Sequence, residues 1–315
     1  MADRRRSTWL RWSAAALAAA GLLAAGAFAA VRYPEAQELL PLEAQEWLGR
    51  LQPEPAWRSL PVGPVLAAAR ERGSLRVGVR AYPRPAPPGS PAPSEPDRFD
   101  ADLARFIGLR LGLPVTLVNL EADARTHAYQ PPDTLLDIVI AGADAQAALP
   151  AGAQPVATPY VYSAGQLLVL RNESALQRAA DLHRRAVCAA QGSPYAGSLR
   201  GDLAAEPRIY PSAIHAISAF MAGECQALVE DPAVLARLRQ QPEWRFYRAL
   251  DGSVAASGAP AQVLLRRADP QSAELLDRVV RYWRSSGAWA EARQRRVGDL
   301  SFESTQLQDG LVCHS

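Results

Sequence analysis

Three stretches decide the fold of this chain: Leu75-Arg-Val-Gly-Val79, Arg98-Phe-Asp-Ala-Asp-Leu-Ala104 and Leu136-Asp-Ile-Val-Ile-Ala-Gly142. The first and the third are short apolar runs, which are typical of buried strands. The second places Asp100 as the cap of a helix whose apolar residues share one face at helical spacing. A buried strand, a capped helix and a further buried strand in this order predict a parallel sheet covered by helices.

The alternation of strands and helices continues along the chain in two sets. Further strands are predicted at 115–119, 137–141, 165–170, 186–190, 208–210, 226–229 and 262–266, and further helices at 65–72, 124–129, 175–182, 195–202, 213–222, 232–240, 271–285 and 288–294. Two βαβ sets joined by extended crossings predict two α/β lobes. Open α/β sheets bind ligands at the carboxyl ends of their strands, so we expect a small molecule to bind between the lobes.

Length and charge limit the possible architectures and partners. The 315 residues are enough for two domains, and the formal net charge is only +2. We assign residues 65–160 with 262–299 to the first lobe, residues 165–260 to the second, and residues 300–315 to a C-terminal tail. Because the chain is close to neutral beyond its N-terminal arginines, the charge pattern does not indicate a nucleic-acid partner.

Residues 1–32 are predicted to be a targeting segment, and residues 33–64 a stalk or linker. The apolar run at 12–31 follows Arg4-Arg-Arg6 and Arg11. Its length of about 20 residues is enough to span the hydrocarbon core of a membrane. Two interpretations stay open, namely an anchor retained in the inner membrane, which the length favours, and a signal peptide cleaved near Ala27-Phe-Ala29. In both cases the rest of the chain lies in the periplasm.

A series of segments points to a known family. These segments are Leu75 to Val79, Phe99 to Ala104, Asp137 to Gly142, Pro159 to Leu170, Val187 to Tyr195, Ala227 to Pro232 and Asp269-Pro270. In order and spacing they resemble the amino-acid-type periplasmic solute-binding proteins of ABC transporters, over about residues 65–299. Cys188 and Cys225 resemble the general L-amino-acid-binding branch. The resemblance implies the two-lobed periplasmic-binding-protein fold, a small polar ligand and an ABC permease as partner.

The resemblance also assigns roles to individual residues. Tyr82 matches the aromatic residue that stacks on the ligand, although it could equally be a loop tyrosine packed on prolines. Gly192 and Ser193 match a turn that donates to the ligand carboxylate. Ser193, which precedes a proline, is also typical of a helix N-terminus, which is suited to an anion or is simply a helix cap. Asp231 matches the carboxylate that receives the ligand ammonium, and it is also an ordinary helix-start residue.

One position departs from the family pattern. The family places an arginine shortly after the strand at 137–141, where it grips the ligand carboxylate in a two-pronged contact. This chain has Leu149 near that place, and Asp144 where a small hydroxyl residue is usual. Loss of a buried charged pair costs about 3–5 kcal/mol, so ordinary amino-acid binding is weakened. Two alternatives stay open: Asp144 favours a cationic ligand, or the cleft has lost its ligand altogether. Arg80 and Arg84 could substitute from the preceding loop, or they are solvated loop arginines.

Three cysteines outside the cytoplasm leave one unpaired. We predict a disulfide between Cys188 and Cys225, which would close a loop of about 37 residues, with a Cys225–Cys313 pair as the alternative. The spacing of the cysteines and histidines fits no zinc pattern, so we expect no metal and no cofactor.

The sequence therefore predicts binding rather than catalysis. It has no Ser-His-Asp signature, and Glu230 beside Asp231 is a weak basis for acid/base chemistry. The first interpretation is an extracytoplasmic solute-binding protein that captures an amino acid or related polar solute for an ABC importer. The alternative is a membrane-anchored accessory or sensor protein that has lost amino-acid binding and acts through another envelope protein.

Overall fold

The computed structural model describes residue 44 and residues 55–84, 93–123, 129, 135–143, 152–161, 163–256 and 260–312, with side chains up to residue 307. Residues 12–31, Asp144, Leu149 and Cys313 lie outside the described residues, so the predictions on them stay predictions. Within the described part of the chain, no helix has the length and apolarity needed to cross a membrane.

The chain divides into two compact units, of which one holds both β-sheets. This unit comprises Ala56–Arg281 and Ala290–Ser315, and the other comprises Met1–Pro55 and Tyr282–Trp289. Inside the larger unit we call residues 56–161 with 260–281 the first lobe, and residues 163–256 the second lobe.

The first lobe contains a six-stranded sheet. Its strands are β1 (Leu75–Pro83), β2 (Ser94–Pro96), β3 (Val115–Leu120), β4 (Ile138–Ile140), β5 (Gln154–Pro155) and β11 (Leu264–Leu265), in the order β2-β1-β4-β11-β5 with β3 paired to β1. β1 is parallel to β3 and β4, as predicted. The other pairs are antiparallel, so the sheet is mixed rather than purely parallel.

The second lobe contains a five-stranded sheet. Its strands are β6 (Gln166–Leu170), β7 (Ala186–Ala190), β8 (Glu206–Tyr210), β9 (Ala227–Glu230) and β10 (Tyr247–Ala249), in the order β10-β6-β9-β7-β8. β7 is parallel to β8 and β9, whereas β6 is antiparallel to β9 and β10. Two α/β lobes connected by chain crossings confirm the predicted fold class.

Helices cover both sheets. They are α1 (Pro64–Arg72), α2 (Arg98–Leu111), α3 (Ala196–Gly201), α4 (Ala213–Met221), α5 (Pro232–Leu238), α6 (Pro270–Ser285) and α7 (Ala288–Val312), with short 3₁₀ turns at Trp57–Ser59, Ala179–Leu182 and Pro242–Phe246. The helix predicted at 175–182 was wrong in type, since only the 3₁₀ turn forms there. The last helix continues far beyond residue 294 and includes residues 300–312 of the predicted C-terminal tail.

Two details of the helix starts differ from the predictions. Asp97, rather than Asp100, caps α2, because its Oδ1 accepts a hydrogen bond from the backbone N–H of Asp100 at 3.0 Å. Asp100 therefore lies in the first turn, where it is fully buried. α3 begins only at Ala196, and its N-cap residue Tyr195 has no side-chain cap. Ser193 accepts the Tyr195 N–H at 3.3 Å, so it stabilises the turn before the helix.

The predicted disulfide is confirmed. Cys188 on β7 and Cys225 just before β9 are bonded, with their Cα atoms 5.7 Å apart. Both cysteines belong to the apolar core between the second sheet and α4, together with Ile217, Phe220 and Trp244. The bond therefore fastens two neighbouring strands of the second lobe inside its core.

Candidate ligand-binding cleft

The two lobes meet where β1 and β4 of the first lobe face the end of β7 in the second. The backbone N–H of Ala143 donates to the carbonyl oxygen of Gly192 at 2.9 Å. A Cβ atom on Gly142 would lie 2.3 Å from that same carbonyl oxygen, and both glycines have positive φ values, +68° and +71°. Only glycine permits this backbone conformation together with so close an approach. Gly192, a predicted ligand residue, thus lies at the contact between the lobes.

Arg80 forms the charged part of this contact. Its Nε and Nη2 atoms donate to both carboxylate oxygens of Asp100, at 2.7 and 2.9 Å. Its Nη1 atom reaches across to the carbonyl oxygen of Gln191 in the second lobe, at 2.9 Å. Burial opposes the charge of Arg80, but Asp100 and Asp97 together raise its pKa above the usual value. The interpretation of Arg80 as a solvated loop arginine was wrong, because β1 continues through this residue.

The carboxylate of Asp100 lies in a network of buried polar groups. Tyr160 donates its hydroxyl to Asp100 at 3.2 Å and accepts the backbone N–H of Gly142 at 2.6 Å. Burial raises the pKa of Asp100 to about 6, with the charge of Asp97 adding to the effect and Arg80 opposing it. The network thus connects the start of α2, the end of β4 and the segment between the lobes that carries Tyr160. It fixes the positions of Arg80 and of the chain at Gly142, which contact the second lobe.

Tyr82 lies beside this contact, on the wall of a cavity of about 210 Å³. Residues of the first lobe and of the second lobe line it, among them Arg80, Glu121, Ala122, Gln191 and Pro211. The hydroxyl of Tyr82 donates to Asp97 at 3.2 Å, and burial raises its pKa above the usual value. The ring meets that of His215 on α4 edge-on, with the centroids 6.5 Å apart. Part of the Tyr82 ring therefore lines a cavity between the lobes, while the rest of the ring is buried.

Arg84 also differs from its interpretation as a solvated arginine. Its guanidinium lies over the Tyr82 ring, 4.8 Å from the centroid. Its Nη1 atom donates to Glu303 of α7 at 2.6 Å. Arg84 thus fixes one side of Tyr82 and is itself held by the C-terminal helix.

Asp231 caps α5, as its position before a proline suggested, and it is also part of an ion pair. Its Oδ1 atom accepts the N–H of Ala233 at 2.8 Å. Arg293 of α7 binds both oxygens, with Nε 2.8 Å from Oδ2 and Nη2 2.5 Å from Oδ1. Burial alone would raise the pKa of Asp231, but the contact with Arg293 lowers it below the usual value. Arg293 of the same chain thus binds the carboxylate of Asp231, which the family resemblance assigned to the ligand ammonium.

The neighbouring carboxylate is paired in the same way. Arg296, one turn further along α7, donates to both oxygens of Glu230 at 3.0 and 2.9 Å. Both Glu230 and Asp231 are buried, with 7% of their surface exposed. Burial opposes the charge of Arg296, but Glu230 raises its pKa above the usual value.

The structure thus brings some of the predicted site residues together and separates others. Tyr82 lines the cavity, Gly192 lies at the adjoining lobe contact, and Asp231 faces α7. Among the described residues, Gly192, Ser193 and Asp231 do not line the cavity that Tyr82 lines. Sequence reasoning missed the roles of Asp100 and of the arginines of α7. The position of Asp100 inside an amphipathic helix was a signal in the sequence for a buried carboxylate. No local pattern relates Arg293 to Asp231.

Comparisons with known proteins agree with this architecture. No family model matches the chain, and no curated protein matches its sequence. Among solved structures, an amino acid ABC transporter substrate-binding protein, AbpA from Streptococcus pneumoniae bound to L-arginine, matches with a TM-score of 0.51 and 18% identity, over 76% of this chain and 98% of that one. A second such protein from S. pneumoniae bound to L-arginine has a TM-score of 0.51 and 16% identity, over 75% and 97% of the two chains.

A third structure, of a mutant of ArgBP from T. maritima, matches with a TM-score of 0.50 and 18% identity, over 73% of this chain and 98% of that one. At these identities the likeness establishes the fold. This chain has the fold of amino-acid substrate-binding proteins of ABC transporters, at 16–18% sequence identity to these three.

Proposed function

We propose that this chain is a periplasmic solute-binding protein that captures a small polar solute between its two lobes for an ABC importer. The observation that carries the proposal is the cavity of about 210 Å³ lined by residues of both lobes, with Tyr82 on one side and Gln191 and Pro211 on the other. A solute in this space would contact both lobes at once, which is how binding favours closure at a hinge. The shared fold with solute-binding proteins supports the same function.

The solute class follows from the cavity wall. It combines the rim of a tyrosine ring and small apolar side chains with the carboxylate of Glu121, which is exposed. A guanidinium, Arg80, is also present, but Asp100 already neutralises it. These groups favour a small solute with a cationic or hydrogen-bond-donating group and a short apolar portion.

A thermal-shift screen of the full chain in mild detergent tests this proposal. Amino acids, polyamines and small carboxylates are the candidate solutes, and a true ligand at a hundred times its dissociation constant stabilises the protein by about 2.7 kcal/mol. The substitution Ala122→Trp fills the cavity and should abolish the shift. The matched control is Ala175→Trp at an exposed position of the second lobe, which should keep it. A shift that survives Ala122→Trp would place the ligand elsewhere.

A second function is favoured by a separate observation. Arg293 binds Asp231 in a two-pronged contact, and the chain lacks the arginine that grips the amino-acid carboxylate in this family. Both changes oppose amino-acid binding. We therefore keep as the second candidate an accessory or sensor protein of the same fold that acts through another envelope protein. The absence of a shift from every solute, together with co-purification of a membrane partner, would favour this function.

A further inference from the structure

Helix α7 is attached to the second lobe by apolar packing. Leu300 is buried in the core of that lobe with Leu235 and Trp244, and Val297 and Leu307 pack against the same core. The side-chain amide of Gln241 donates to the carbonyl and the hydroxyl oxygens of Ser301, at 3.1 and 2.9 Å. With the buried pairs of Arg293 and Arg296 added, this face of α7 forms part of the second lobe.

The contacts of α7 with the first lobe are of a different kind. Its residues Arg295, Asp299 and Glu303 follow one another at intervals of four, which places them in one stripe along the helix. Each meets an opposite charge of the first lobe: Arg295 Nε lies 3.0 Å from Asp102, Asp299 lies 2.7 Å from Arg98 Nη1, and Glu303 lies 2.6 Å from Arg84 Nη1. Each of the three charges on the stripe thus faces a charge of opposite sign on the first lobe.

The gap between α7 and α2 shows that charge, rather than packing, makes this contact. A cavity of about 350 Å³, lined by Arg98, Asp102, Arg295 and Asp299 among others, lies along the ion pairs. Arg98 and Arg295 are more than half exposed, at 59% and 57% of their side chains. Since solvent reaches these two pairs, salt will screen them, with a screening length of about 10 Å at 0.1 M and about 3 Å at 1 M. The third pair, Arg84 with Glu303, is more buried, with 15% and 9% of the side chains exposed, so salt weakens it less.

We propose that α7 is an electrostatic latch. It moves with the second lobe and holds the first lobe through the stripe Arg295, Asp299 and Glu303, so that separation of the lobes requires these three ion pairs to part. Resting on the proposed function, the latch would regulate access of the solute to the cavity, and access would increase with ionic strength. The latch itself is a property of the chain alone and can be measured without a solute.

The distance between the lobes tests the latch directly. Spin labels are attached at Leu109→Cys on α2 and Arg239→Cys after α5, both exposed, in the full chain with Cys313→Ser. The double substitution Arg295→Glu with Asp299→Arg reverses two charges of the stripe against Asp102 and Arg98. We expect the distribution of label distances to become longer and broader. Adding Asp102→Arg and Arg98→Glu restores opposite charges and should return the original distribution.

Two further arms keep the outcome unambiguous. The control Arg278→Glu removes an exposed ion pair within α6 and should leave the distances unchanged. The natural sequence in 1 M NaCl should show the same broadening as the reversed variant, which needs no substitution in α7. Unchanged distances in the reversed variant and in salt would overturn the latch, even if a solute binds. Longer distances without any solute binding would uphold the latch and reject the proposed function.

Discussion

Removal of Arg80 is the most direct test of the contact between the lobes. Arg80→Met keeps most of the volume of the side chain but leaves the fully buried Asp100 without its two-pronged partner. Leaving one charge of a buried pair unpaired typically costs about 3–5 kcal/mol. With an entropy of unfolding of about 2.1 cal/mol/K per residue, 1 kcal/mol corresponds to about 1.5 °C for a chain of this size, so the melting temperature should fall by roughly 5–8 °C.

The dependence of this loss on pH identifies its cause. The pKa of Asp100 is already raised to about 6 by burial, and Arg80 is among the groups that lower it. Without Arg80 the pKa rises further, so the folded variant takes up a proton at neutral pH that the unfolded chain releases. Such a group stabilises the fold as the pH falls. The difference in free energy of unfolding between variant and natural protein should therefore narrow from pH 7.5 to pH 5.

Urea unfolding at both pH values measures these quantities, and a double-mutant cycle isolates the pair. Asp100→Asn removes the charge that Arg80 neutralises, so Arg80→Met with Asp100→Asn should lose less stability than the sum of the two single losses. A loss below about 1 kcal/mol for Arg80→Met at pH 7.5 would refute the reasoning, because it lies far beneath the cost of an unpaired buried charge. Strict additivity in the cycle would refute it as well.

Three further predictions concern the same cleft, and a fourth concerns the core of the second lobe. Gly142→Ala should cost about 1–3 kcal/mol by urea unfolding, since the new Cβ meets the Gly192 carbonyl; Gly73→Ala, which has a similar φ and open space, should lose clearly less. Arg293→Gln should lower stability, because Asp231 loses its two-pronged partner. An amine can then bind Asp231, so a polyamine should raise the melting temperature of the variant more than that of the natural protein. His215 is half-buried, and burial lowers its pKa, so the natural protein should lose stability relative to His215→Gln as the pH falls from 7.5 to 5.5. The contribution of Asp100, which has the opposite sign, cancels because both proteins contain it. An equal dependence of unfolding free energy on pH in the two proteins would contradict this prediction. Replacement of both Cys188 and Cys225 by alanine should cost about 2–4 kcal/mol by thermal unfolding under oxidising conditions.

The sequence predicts those elements of the fold that have a clear local pattern of apolar and polar residues. β7 has the predicted bounds, Ala186–Ala190, because its apolar run is continuous and is bounded by polar residues. Strands of two or three residues, such as β2 (Ser94–Pro96) and β5 (Gln154–Pro155), were missed because so short a segment carries no periodic signal. The end of β1 was placed too early, since the prolines that follow suggested a loop. That error put Arg80 in solvent when it is in fact a strand residue facing the second lobe.

Contacts between distant residues are what the sequence does not predict. Arg293 lies 62 positions from Asp231, and Arg296 lies 66 positions from Glu230. In the sequence each arginine is an ordinary helix residue. Its carboxylate partner can be recognised only when the positions of both elements in the fold are known. The stripe at 295, 299 and 303 was overlooked for a related reason, since the helix was predicted to end before it began.

The pairing of Asp231 also bears on where a solute can bind. Arg293 holds the carboxylate of Asp231 at both oxygens, so a ligand ammonium would compete with Arg293 for it. A solute that displaced Arg293 would have to break this two-pronged ion pair, which lowers the affinity for that solute. Binding beside Tyr82 carries no such cost, because the charged groups there keep their existing partners. We therefore propose the cavity at Tyr82, rather than Asp231, as the place where a solute would bind.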